Sequence, residues 1–194
     1  VSGFHERLLT LSSRRQQAFM AALVERLLPN YALYAQTAGH GDVHGLRAIL
    51  DLVWERLAVQ GAKIDFERQA EKLAGLEPPG DDDSFGARRA LEAVVALSAL
   101  LDTLQGEAPD AVLEVSRTSK GGVRAFIELT EGEENGQRLA ALVREHPLMK
   151  EENAFQDAVL EAAEEGVLDR DALKALRRLG RNEGVSNLGL SAEA

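Results

Sequence analysis

Apolar side chains in this chain recur three and four residues apart far more often than two apart, a spacing that gathers them onto one face only when the backbone is helical. In residues 13–28, Phe19, Met20, Leu23, Val24 and Leu27 form such a stripe. In residues 42–59, Leu46, Ile49, Leu50, Val53 and Leu57 form a second. Aromatic residues are only 5% of the chain, which leaves the strong helix formers Ala, Leu, Glu and Arg to set the local preference. The expected fold class is therefore all-α: a compact multi-helix bundle, with mostly antiparallel neighbours because the connections are short.

Breakers and caps divide the pattern into elements. Pro29 with Asn30 predicts a stop or redirection after the first long helix, with a short helix over 31–38 beyond it. Gly39 and Gly41 flank a turn, and Asp42 is placed to cap the helix that runs to about residue 59. Asp65 caps a short helix through Leu73, and the sequence PPGDDD makes a loop. The helix over 84–104 contains AVVALSALL, apolar on nearly every side, and is expected to be the central, innermost one. A helix over 110–130 keeps phase across Gly121 and Gly122. Because mid-helix glycines cost about 1 kcal/mol each relative to Ala, they predict close approach of a neighbouring helix. A short helix over 135–145 closed by Pro147 comes next, then one reaching about residue 165 before Gly166. The last is capped by Asp169, stapled by Leu168 and Leu173, and ends near Gly180. Residues 182–194 read as a turn-like tail whose Leu188 and Leu190 tuck against the bundle. No stretch is polar and long enough to divide the chain, so residues 1–194 are expected to form one domain.

Composition narrows the function classes. Cys is absent, which removes thiol catalysis, disulfides and cysteine metal sites. The 22 basic against 32 acidic residues leave a net charge of −10, which repels nucleic acid and anionic membrane. No apolar run approaches the roughly 20 residues of a bilayer span, and the stretch from Val1 to Arg15 carries no secretory apolar segment. A soluble protein of the bacterial cytoplasm is expected.

The most site-like constellation is Arg47, Asp51 and Glu55, spaced four apart beside Trp54 on the face opposite an apolar stripe. In a cleft, two carboxylates beside an Arg can hold a cation or act as acid and base. The plainer reading is an exposed ion pair between Arg47 and Asp51, worth about 0.3–0.5 kcal/mol, with Trp54 half-buried in the core. His40, Asp42 and His44 bear ligand groups for zinc or iron, but a capped turn explains them without a metal, so no metal is expected. Lys174, Arg177, Arg178 and Arg181 can receive a phosphate or an acidic partner, or simply complement the helix dipole. Ser116, Thr118 and Ser119 have no placed base and are expected to bond to preceding carbonyls of their own helix. The calcium-like DDDSFG fails where Phe85 replaces an oxygen ligand, and neither a Walker loop nor a dinucleotide fingerprint is present, so no cofactor is expected.

The fragments FMAALVERLLPNYALYAQTAGHGD, ILDLVWERL, ALEAVVALSALLDTL, VLEVSRTS and VSNLGL resemble, in that order and nearly along the whole chain, the bacterial YjaG-like family of unknown function. The resemblance implies a compact all-helical bacterial protein and carries no activity and no functional residues. The function expected from the residues is a non-enzymatic binding or adaptor protein, meeting another protein or a second copy of itself. The alternative is a small-ligand- or divalent-cation-binding enzyme with a cleft near Arg47, Asp51, Trp54 and Glu55. A concave pocket at that ridge favours the second; a flat ridge with a separate apolar patch favours the first.

Overall fold

The computed structural model describes residues 3–106, 108–132 and 137–192, and in them the chain is all-α, with no strand. The helices are α1 (Phe4–Thr10), α2 (Ser13–Ala38), α3 (Val43–Ala58), α4 (Phe66–Ala74), α5 (Phe85–Leu104), α6 (Ala111–Glu131), α7 (Leu139–Glu145), α8 (Pro147–Glu164) and α9 (Arg170–Arg181), followed by a 3₁₀ turn over Asn182–Gly184. The caps act as the sequence requires: Asp42, Asp65, Ser84 and Asp169 each accept a hydrogen bond from the backbone N–H three residues on. Leu168 and Leu173 are both buried across the start of α9. Asn135 and Gly136, the first residues of the helix expected over 135–145, lie outside the described residues, as do the last two of the tail. None of the described helices is long and apolar enough to cross a membrane.

Two expectations about the long helices are corrected. Pro29 neither ends nor redirects the first of them; α2 is one helix of 26 residues running through it to Gly39, whose φ of 64° closes it. Pro29 withholds one N–H from the ladder, but Leu27, Leu28, Asn30 and Tyr31 around it are all buried. Burying large apolar side chains is worth about 1.5–3 kcal/mol each, which outweighs one lost backbone bond. Tyr31 adds an anchor, donating its hydroxyl to the Leu76 carbonyl at 2.7 Å and accepting from the Asp42 N–H at 3.1 Å.

The innermost helix is α2 and not α5. Every residue from Ala18 to Leu28 is buried, and α2 packs against α3, α5, α6, α8 and α9. α5 runs beside it in the core but keeps one edge at the surface through Leu91 and Val95. α1, unanticipated from its few apolar residues, contributes the fully buried Leu8. Arg14 and Arg15, at the start of α2, tie in the carboxyl ends of two other helices: Arg14 donates to the Leu57 carbonyl of α3, and Arg15 to Ala163 of α8 at 2.7 Å and to Gly166 just beyond it.

The glycines divide differently from expectation. Gly121 has open space where a Cβ would stand, against expectation, whereas a Cβ on Gly122 would meet the Glu92 carboxylate of neighbouring α5 at 2.8 Å and the Asn187 amide at 3.3 Å, so the expected close approach holds at Gly122 through side chains. The close approach of backbone is at Gly180, where a Cβ would lie 2.5 Å from the Ala22 carbonyl oxygen. α9 ends at Arg181, next to Gly180 as expected, and Gly180 in its last turn seats it on α2. A main apolar core gathers α1 to α6 with α8 and α9. A smaller cluster of Val123, Ile127, Val143 and Met149 is closed by the tail through Leu188, with Leu190 packed beside it.

Candidate functional site

The close seating of α9 on α2 assembles the candidate site. Glu25 lies one turn beyond Ala22, and Arg177 and Arg181 flank Gly180, so the contact that excludes a Cβ brings two guanidinium groups to one carboxylate. Arg177 Nε stands 3.3 Å from Glu25 Oε2, and Arg181 Nε 3.5 Å from Oε1. From α3, Arg47 Nη1 reaches Oε1 at 2.5 Å and Trp54 Nε1 donates to Oε2 at 2.9 Å. The carboxylate itself is fully buried. Residues 47, 51 and 54 share one face of α3 through the i, i+4, i+7 repeat, which directs Asp51 to the Arg177 guanidinium, and that guanidinium lies 5.8 Å over the Trp54 ring.

Arg47, Asp51 and Trp54 are thus brought together, but not by the expected bond. Arg47 pairs with Glu25 and not with Asp51, because the buried carboxylate is within its reach and Arg177 occupies Asp51 from the other side. Glu55 points to solvent and lines, with Asp51, Trp54, Lys174 and Arg177, a shallow groove of about 300 Å³. A second groove of about 430 Å³ opens on the other side of the cluster, where Arg47, Arg181 and His44 stand over an apolar wall of Leu28, Pro29 and Val43. Of Lys174, Arg177, Arg178 and Arg181 on the last helix, Arg177 and Arg181 turn to Glu25, while Lys174 and Arg178 are exposed.

His40, Asp42 and His44 are all exposed and do not form a ligand set. Asp42 caps α3, His40 Nε2 lies 3.2 Å from the Glu77 carbonyl oxygen, and His44 faces the larger groove. Among the described residues no three His, Asp or Glu side chains are grouped to hold a metal ion.

A second buried polar cluster lies on another side of α2, about 100° around the helix from Glu25. Arg26 Nη1 is 3.1 Å from Glu152 Oε1, and its guanidinium stacks 3.9 Å over the Phe155 ring. Glu152 Oε2 accepts from Ser119 Oγ at 2.5 Å and from Gln156 Nε2 at 2.9 Å, and Ser116 Oγ donates to Gln156 Oε1 at 2.6 Å. Ser116 and Ser119 of α6 therefore bond across to α8, correcting the expectation that these two bond within their own helix. Burial raises the Glu152 carboxyl above the ordinary carboxylate range against the pull of Ser119 and Arg26, and burial lowers Arg26. Glu25, Arg26 and Glu152 were not singled out from the sequence. The signal is present for two of them: a Glu-Arg pair inside the apolar run AFMAALVERLLP has no solvent-facing side on which to sit.

The family model described as "Protein of unknown function (DUF416)" matches residues 3–191. The chain is 39% identical over 190 residues to the uncharacterized protein YjaG of Escherichia coli (strain K12), covering 96% of this chain and 95% of that protein. It is 35% identical over 190 residues to an uncharacterized protein of Haemophilus influenzae, with the same coverage. The crystal structure of a DUF416 family protein from Shewanella baltica OS155 superposes with a TM-score of 0.91 at 32% identity, covering 99% of this chain and all of that one. The periodicity, the enclosed α2 and these matches along nearly the whole length agree: the chain belongs to the DUF416 family.

Proposed function

We propose that this is a non-enzymatic binding protein of the bacterial cytoplasm, and that the groove beside Arg47, Arg181 and His44 takes the anionic group, phosphate or carboxylate, of a small molecule. One observation carries the reading. Among the described residues, Arg47, Arg177 and Arg181 converge on Glu25 and Asp51 as their ion-pair partners, three cations on two carboxylates in a chain of net charge −10. Glu25 holds the guanidinium groups in place, while Arg181 is half-exposed and Arg47 about one-third exposed, so each keeps N–H donors for a ligand. The apolar wall of Leu28, Pro29 and Val43 gives the body of such a molecule a surface to cover. A divalent cation is less well served, because Asp51 is engaged by Arg177 and Lys174 shares the groove with Glu55.

Calorimetric titration at low ionic strength with inorganic phosphate and with succinate tests this. We expect saturable binding weakened about tenfold or more in R47Q/R181Q, as loss of charge-assisted donors requires. No binding of either anion, or binding that the double variant leaves unchanged, overturns the reading. A protein partner or second copy is the companion reading, favoured by Leu91 and Val95, which lie one turn apart on α5 and are 39% and 48% exposed. Sedimentation of the wild type against L91E/V95E checks it: a single monomeric species in both removes the self-association form.

A further inference from the structure

The smaller groove, about 300 Å³ between α3 and α9, differs from the anion groove in that its two walls carry opposite charge. On the α3 wall Asp51 and Glu55 stand one turn apart, and on the α9 wall Arg170 and Lys174 do the same. At one end the walls are joined, where Arg177 reaches Asp51 Oδ1. Beyond that point they are not. Glu55, Arg170 and Lys174 are exposed, and among the described residues none of the three has a hydrogen bond or ion pair. Asp51 Oδ2 likewise takes no hydrogen bond from the described residues, and the side chain that carries it is 47% exposed. Each of these four groups is therefore open to a solute entering from water. Between the walls the surface is apolar: Trp54 and Leu173 lie almost wholly buried beneath it, Ala58 is partly buried, and Val59 is 41% exposed.

This pattern discriminates among ligands. A cation would meet Arg170 and Lys174, and an anion would meet Asp51 and Glu55, each a like-charge contact that costs affinity. An uncharged solute would take water from all four groups and replace it with nothing. A small molecule with both charges close together meets neither objection. Its ammonium can face the acidic wall while its carboxylate faces the basic one, and an apolar substituent can cover Ala58 and Val59.

We infer that this groove is a second binding site, taking a free α-amino acid with an apolar side chain, whose ammonium donates to Glu55 and Asp51 Oδ2 and whose carboxylate accepts from Lys174 and Arg170. Titration of the intact protein with L-leucine at low ionic strength, followed by amide chemical shifts, tests this. We expect saturable one-to-one binding with shifts centred on Ala58, Val59 and Leu173, away from Val43 and His44 of the anion groove. 3-Methylbutylamine and 4-methylpentanoate, which each keep the side chain and one of the two charges, should bind there about three- to tenfold more weakly. E55Q and K174Q, both at exposed positions, should each weaken leucine binding by a similar factor. E55Q should at the same time strengthen 4-methylpentanoate binding by removing a like charge, where a merely structural disturbance would weaken both ligands. Absence of saturation, shifts centred elsewhere, either analogue binding as tightly as leucine, or leucine affinity unchanged in either variant overturns the site.

Discussion

Glu25 and Arg26 are consecutive residues of the most enclosed helix, yet the two sides of α2 on which they lie have been built to different ends. On the Arg26 side one guanidinium meets one carboxylate, both almost wholly buried, and Ser119 and Gln156 use the remaining acceptor capacity of Glu152. On the Glu25 side one buried carboxylate holds three guanidinium groups, two of them reaching into an open groove. Replacing a buried pair by apolar side chains is often neutral or stabilising, whereas breaking one by removing a partner is strongly unfavourable. The sealed side thus fits a role in fixing how α2, α6 and α8 register on one another. The open side carries charge beyond what its own neutralisation requires.

That contrast is exposed to measurement, and the largest effect should fall on the sealed side. Arg26→Met leaves Glu152 buried without its cation and should destabilise the protein by about 3–5 kcal/mol in urea unfolding. Adding Glu152→Gln should recover part of that loss; no recovery would mean the pair is not the source. Glu25→Gln should cost about 1–3 kcal/mol, because Arg47 and Arg181 can turn their charge to water. A loss as large as that of Arg26→Met would erase the distinction between the two sides. Gly180→Ala pushes a Cβ against the Ala22 backbone and should also cost about 1–3 kcal/mol. Since it displaces α9, it should also weaken anion binding in the groove.

Smaller effects sharpen the comparison further. Burial raises the Glu152 carboxyl, and a carboxyl raised on folding adds stability that is full below its unfolded value, near 4.3, and is lost as pH rises through the folded one. The destabilisation caused by Glu152→Gln should therefore be greatest at acid pH and shrink toward neutrality in urea midpoints read between about pH 4 and pH 8. A pH-independent difference would show that Glu152 is not perturbed. Gly121→Ala, in open space on α6, should stabilise by about 0.4–1 kcal/mol, opposite in sign to Gly180→Ala.

The elements were largely legible from the residues because the information that makes a helix is local. Asp42, Asp65 and Asp169 cap where their spacing to the next apolar stripe places them, and Leu168 with Leu173 staple the start of α9. Of the candidate site, Arg47, Asp51 and Trp54 were legible as one face of α3. Their principal partner, Glu25, was not, because it lies 22 residues away on another helix. The continuity of α2 through Pro29 was not legible, because it depends on the burial of Leu27, Leu28 and Tyr31 against other helices, which local residue preference does not contain.

By itself the sequence determined the helical class, most helix boundaries and the acidic surface, since periodicity, capping and net charge are properties of neighbouring residues and of sums. Only tertiary structure decided which helix is innermost, which glycine admits a backbone, and how the charges pair. Those outcomes depend on how closely helices distant in sequence can approach, and no spacing along one helix contains that distance.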